Sequence, residues 1–130
     1  MVGILLVAHN ALGESFVDCI RHIFGRTPHN LRVLSVLADD EPQQKVTEGL
    51  EIIEHIDSGK GVIVLVDVFG ATPYNIARQL CTREHVRGVA GLNLPMLLRV
   101  VNSSKKTLPE LVHLAVDGGR ACIVELAKEF

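Results

Sequence analysis

The sequence predicts an α/β domain with an open, mostly parallel sheet and helices on both faces. Three observations carry this. Short apolar runs alternate with amphipathic helical stretches along the whole chain, as parallel strands joined by crossover helices require. Two of those runs, Ile4 to Ala8 and Val62 to Val66, are apolar on both faces, which suits strands covered from both sides rather than half-exposed ones. Both runs stop abruptly at a polar residue, His9 and Asp67.

The elements follow in order. After the first strand, Leu12, Phe16, Cys19, Ile20 and Ile23 recur at helical spacing, with Gly25 as a stop. Thr27-Pro28-His29-Asn30 is a turn, and Leu31 to Leu37 reads as an outer strand. Asp40, with Gln43 three residues on, makes a capping box for a helix reaching about Ser58. Gly59-Lys60-Gly61 then returns the chain to the central strand. Thr72 is a competent N-cap and Pro73 suits the first helical position, so a third helix runs to about Glu84. Gly88 to Leu92 is a fourth strand, and Asn93-Leu94-Pro95 opens a short helical piece to about Val101. Asn102 to Thr107 is a polar loop. Pro109 starts a last helix that Gly118-Gly119 ends near Val116, and Ala121 to Leu126 has the β-branched character of a fifth strand.

Composition bounds the function. At 130 residues the chain is one domain, residues 1–130, large enough to bury about two thirds of its unfolded surface. A net charge of −2 leaves no basic stripe for a nucleic-acid backbone. No run approaches the roughly 20 apolar residues of a membrane span. The N-terminus enters a strand directly, and Cys19, Cys81 and Cys122 show no paired spacing, so a reduced, cytoplasmic setting is expected.

Right-handed crossovers place the second and third strands on opposite sides of the first. His9 and Asp67 then emerge together at the switch point, where open α/β sheets bind ligands. The loop Val68-Phe69-Gly70-Ala71 delivers free backbone N–H groups at a helix start, a setting that favours an anion. Most of the six histidines suit helix faces or loops, but one that ends a buried strand at this edge is hard to explain by packing. Asp67 would fix the tautomer of His9, and Thr72 would both cap the helix and meet a phosphoryl oxygen. Gly70 would let the loop approach it. No GK[ST] follows, so this is not a Walker loop. Ser15 and Cys19 lie inside the first helix without a base, and no ligand spacing calls for a metal or another cofactor.

The segments GILLVAHNALGESF, GVIVLVDVFGATPYN and VAGLNLPMLL resemble the IIA domain of the mannose family of the bacterial sugar phosphotransferase system, over essentially the full chain. The resemblance implies that His9 is a transient phosphoacceptor, on the Nε2 side, that Asp67 orients it, and that Thr72 with the backbone of Gly70 and Ala71 holds the phosphoryl group. It implies a phosphotransferase component that takes the group from phosphorylated HPr and passes it to a IIB component on a separate chain. It also implies sheet order 2-1-3-4 and a homodimer exchanging an antiparallel fifth edge strand, with Ala121 to Leu126 as the candidate. Glycine is common in the family where Asn10 and Ala71 stand. A regulatory relay, a phosphoryl donor to a dihydroxyacetone kinase, and a non-catalytic anion-binding or assembly module are the alternatives. Which sugar is involved is not written in this domain.

Overall fold

The structure is a computed structural model and describes residues 1–126. The elements in chain order are β1 (Gly3–His9), α1 (Leu12–Phe24), β2 (Leu31–Val36), α2 (Pro42–Ile56), β3 (Val62–Val66), α3 (Thr72–Leu80), β4 (Val86–Ala90), α4 (Leu94–Asn102) and α5 (Leu108–Ala121). The four strands form one sheet of order β2-β1-β3-β4, every pairing parallel. β1 and β3 are therefore central. Every residue of β3 is buried, as are the first six of β1, so apolar character on both faces is what these positions require.

The alternation of side chains splits the core into two layers. Ile4, Leu6, Ile63 and Leu65 point to the face covered by α1, α4 and α5, where they meet Ile20, Leu97, Val100 and Leu111. Leu5, Val7, Val64 and Val66 point to the other face and pack with Val46, Ile53, Ile76 and Leu80 of α2 and α3. Fully burying each such side chain contributes about 1.5–3 kcal/mol.

Several boundaries differ from those expected, each for a physical reason. Gly118 and Gly119 do not end α5; they lie within it, on its contact with α4. A methyl group on Gly118 would come within 3.1 Å of Arg99 Cβ, and one on Gly119 within 3.0 Å of Met96 Cε. Close helix packing explains them. The cap of α2 is Glu41, which accepts from Gln44 N–H at 3.0 Å, because Pro42 fixes the start of the helix one residue later than Asp40 requires. Asp40 instead accepts from Leu37 N–H at 2.7 Å.

Helix α3 closes at Leu80 rather than Glu84. The reason is register: β4 starts at Val86, opposite Val62, two residues earlier than the expected Gly88, so the chain must turn before it. Asn93 caps α4 through Met96 N–H, and Thr107 caps α5 in a full capping box with Glu110.

The fifth strand is absent from the described residues. Ala121 closes α5, Cys122 caps it, and Ile123 to Leu126 pair with no strand. An extended segment needs a partner edge to become a strand, and among the described residues this one is paired with none. The sheet of the described residues is wholly parallel.

Candidate functional site

Parallel pairing of β1 and β3, with Val7 opposite Val66, fixes the site. β1 runs two residues beyond that pair and ends in His9, whereas β3 gives way to a loop at Asp67. The offset brings the His9 backbone onto the Asp67 side chain: His9 N–H donates to Asp67 Oδ2 at 2.9 Å. His9 Nδ1 approaches the same oxygen at 2.7 Å. The other carboxylate oxygen, Oδ1, accepts from Val68 N–H at 2.9 Å. An aspartate and a histidine 58 positions apart are thus tied at both backbone and side chain.

Exposure separates their capacities. The Asp67 side chain is 7% exposed and the His9 side chain 45%. An ionised carboxylate only accepts hydrogen bonds, so Nδ1 is the donor in this contact, and in a neutral ring Nε2 is the nitrogen that keeps a lone pair. The buried oxygen holds the ring; the open side of the ring is free to react.

Both loops leave the strands through left-handed backbone. Asn10 has φ 50° and is the sole non-glycine residue with positive φ among those described, and its N–H bonds Val36 O at 3.0 Å. Asparagine tolerates this conformation better than most residues, which accounts for its place at this turn. Gly70 has φ 88°, and a side chain there would meet nothing within 4 Å. Conformation, not crowding, calls for glycine at this turn.

Thr72 is not the N-cap of α3. Ala71 takes that place with extended backbone and no side-chain hydrogen bond, and Thr72 is the first helical residue. The first intrahelical bond is Asn75 N–H to Ala71 O, at 3.0 Å. The Thr72 and Tyr74 N–H groups, one turn earlier, therefore have no helical acceptor, and Pro73 has no N–H to leave orphaned. The uncapped start presents free N–H groups on the same edge as His9, a setting that favours an anion. The expected capping role of Thr72 falls away, and its exposed hydroxyl is released for other use.

The loop between Asp67 and α3 contains a part that sequence reasoning missed. Phe69, 73% exposed, packs against Tyr74 with ring centroids 4.7 Å apart and planes tilted by 58°, and the Arg78 guanidinium lies 6.0 Å from the centre of the Tyr74 ring. Two aromatic residues five apart across a helix start were the available signal. Burial pushes the Cys81 thiol up to about 11, so that group stays protonated near neutral pH. Among the described residues, no three His, Cys, Asp or Glu side chains converge as a metal site would require.

The family model for the PTS system fructose IIA component matches residues 3–116, which includes both site loops. The chain belongs to this family of phosphotransferase-system IIA components. Among its relatives, the sorbose-specific EIIA component of Lacticaseibacillus casei is 33% identical over 116 residues, covering 85% of this chain and 81% of that protein. The mannose-specific EIIAB component of Escherichia coli K12 is 26% identical over 122 residues, 92% of this chain. The chain spans 38% of that protein's length.

Solved structures share the fold. The phosphotransferase system EIIA component of Streptococcus agalactiae superposes with a TM-score of 0.83 at 25% identity, covering 96% of this chain and 97% of that one. The mannose/sorbose-specific IIA subunit of Enterococcus faecalis gives a TM-score of 0.85 at 23% identity, covering 97% and 95%. This chain is thus a IIA component of the mannose, sorbose and fructose group. Among its described residues, no helix is long and apolar enough to cross a membrane.

Proposed function

We propose that this IIA component relays a phosphoryl group on His9, taking it from phosphorylated HPr and giving it to a IIB component in the cytoplasm. The observation that carries the reading is the 2.7 Å contact between His9 Nδ1 and Asp67 Oδ2, which leaves Nε2 as the open nucleophile.

In the forward step the Nε2 lone pair forms a bond to phosphorus as the bond to the HPr donor atom breaks. That bonding pair leaves with HPr. The ring then bears a proton on Nδ1 and phosphorus on Nε2, and its positive charge lies against the Asp67 carboxylate. In the second displacement a nucleophile of IIB forms a bond to phosphorus as the P–Nε2 bond breaks, and that bonding pair returns to Nε2. Such a transfer needs positioning and dispersal of negative charge more than a separate base. The Thr72 hydroxyl and the N–H groups of the Gly70-Ala71-Thr72 turn are the groups we assign to the phosphoryl oxygens.

The C-terminal segment fits an exchanged strand in a homodimer. Ile123, Val124 and Leu126 are 75%, 65% and 75% exposed, three apolar side chains left open among the described residues. β4 stands at the sheet edge with β3 as its one partner among the described strands. Pairing such an edge with a second copy would cover both.

Incubation with phospho-HPr, followed by intact mass and site mapping, tests the relay. We expect the mass gain of one phosphoryl group, on His9. An unmodified protein would instead make the chain a binding or assembly module, and modification at another residue would refute the site. Sedimentation of the chain with and without residues 122–130 tests the dimer, with a shift to monomer expected on removal.

A further inference from the structure

We propose that the cleft at the amino end of β1 and β2 binds a small polyhydroxylated phosphate ester, the chemical class of a sugar or polyol phosphate. The cleft and His9 lie at opposite ends of β1, whose seven residues span roughly 20 Å. It is a second site, and it stands whether or not the relay reading does.

The cleft has a volume of about 490 Å³ and opens between the end of α1, the turn into β2 and the loop after α4. Clefts of roughly 300–1,000 Å³ take small-molecule ligands. Its lining includes Arg26, His29 and Lys105, and no carboxylate. Among the described residues, neither Arg26 nor Lys105 has a carboxylate within ion-pairing distance.

The opposing charges nearby are of two kinds. In adjoining clefts, Asp57 accepts from the Gly59 and Gly61 N–H groups and lies 3.6 Å from His85, and Glu84 stands with Lys60, Lys106 and again Lys105. The C-terminal ends of α1 and α4 each bring about half a unit of negative charge. Two unpaired bases outweigh those two helix ends, so the cleft keeps a positive surplus. A guanidinium and an ammonium in one cleft suit the several oxygens of a phosphate.

The floor argues for hydroxyl groups on the ligand. Asn30 and Ser104 line the cleft and are buried, at 5% and 7% exposure. Asn30 Nδ2 donates to Val2 O at 2.8 Å, which leaves Oδ1 without a partner. No fully enclosed side-chain oxygen or nitrogen among the described residues is unpaired, so Oδ1 is open to solvent. The Ser104 hydroxyl meets the Met1 thioether at 3.4 Å, and sulfur is a weak acceptor. An unfilled acceptor and a poorly matched hydroxyl both fit ligand O–H groups, which donate and accept. Phe24, 40% exposed, with Pro28 and Val101, supplies an apolar wall for the carbon face of a ring or chain. Cations, hydroxyl-matching floor and apolar wall together specify a hydroxylated carbon chain bearing phosphate, not a bare anion.

The test titrates the whole chain with glucose 6-phosphate, fructose 1-phosphate and glycerol 3-phosphate, against inorganic phosphate and glucose, read by amide shifts and calorimetry. We expect at least one ester to saturate the amides of residues 26–30 and 101–105, with inorganic phosphate and glucose each at least about 10-fold weaker. Arg26→Ala combined with Lys105→Ala should weaken the ester about 10-fold or more, since its charge-assisted bonds are lost. Both side chains are exposed, and unchanged thermal melts verify folding. Ser104→Ala should weaken the ester about 3- to 10-fold and leave inorganic phosphate within about twofold. His9→Ala should bind the ester as wild type does.

No saturation by any of the three esters at millimolar concentration would overturn the inference, as would shifts centred on the His9 edge. Inorganic phosphate binding as tightly as the best ester would overturn the ligand class. Wild-type ester affinity in the double variant or in Ser104→Ala would remove the cations or the floor from the site, and the proposal with them. None of these results bears on labelling of His9 by phospho-HPr, so the relay reading fails or holds separately.

Discussion

The exits of β1 and β3 are built alike and used differently. Each is a buried strand that ends at the same edge of the sheet, breaks into polar sequence, and turns through a left-handed residue, Asn10 or Gly70, into a helix. One exit holds an imidazole 45% exposed and the other a carboxylate 7% exposed. The difference arises because β1 is two residues longer beyond the Val7–Val66 pair, so its last side chain overhangs the aspartate. Two copies of one local design thereby give an open reactive group and a closed orienting group.

The most severe way to break this pairing is at the ring. His9→Ala should abolish labelling from phospho-HPr while the thermal transition persists, since His9 is no part of either core layer. Residual labelling at the wild-type rate would place the phosphoacceptor elsewhere.

Asp67→Asn probes the orienting side. Its amide could turn an N–H toward Nδ1, reversing the tautomer and placing the ring proton on Nε2. Reversal of this kind in a hydrolase triad costs on the order of 10⁴ in rate. We expect a loss of about 10³-fold or more in transfer, read by rapid quench, with ¹⁵N spectra reporting the tautomer. Asp67→Ala should also destabilise the fold by about 1–3 kcal/mol, because His9 and Val68 N–H groups lose their acceptor.

The turns are compared next. Gly70→Val places a β-branched side chain at φ 88° and should cost about 1–2 kcal/mol in urea unfolding, with no clash contributing. Asn10→Gly should be within about 0.5 kcal/mol of wild type, since φ 50° is already tolerable for asparagine. Equal costs would mean that something other than backbone strain governs the two loops.

Much of this was legible because the decisive features are local. A run of five apolar residues ending at Asp67 needs only its neighbours to be read, and parallel crossovers leave little freedom in where His9 emerges. What escaped the sequence depends on distance in space. Gly118 and Gly119 look like breakers until α4 is seen lying against them. The start of β4 is set by its register with Val62, not by its own glycine. Phe69 resembles an exposed loop residue until its ring is found on Tyr74.

The smallest effect separates two threonines at helix starts. Thr107 is a true cap: its hydroxyl lies 3.3 Å from Glu110 N–H and 2.8 Å from the Glu110 carboxylate, which accepts from it and from Thr107 N–H. The hydroxyl holds the Glu110 carboxyl below its ordinary range. A carboxyl depressed in the folded state adds stability above its unfolded pKa and loses it as pH falls through the folded one. Thr107→Ala should cost about 1 kcal/mol through the lost cap, and should also flatten the acid limb of stability against pH. Thr72 caps nothing, so Thr72→Ala should move stability by less than about 0.5 kcal/mol. Its effect should appear instead in transfer, as a loss of about 10-fold if the hydroxyl meets a phosphoryl oxygen. A Thr72→Ser variant that restores the rate would assign that loss to the hydroxyl, and a Thr72→Ala variant with full transfer would remove Thr72 from the site.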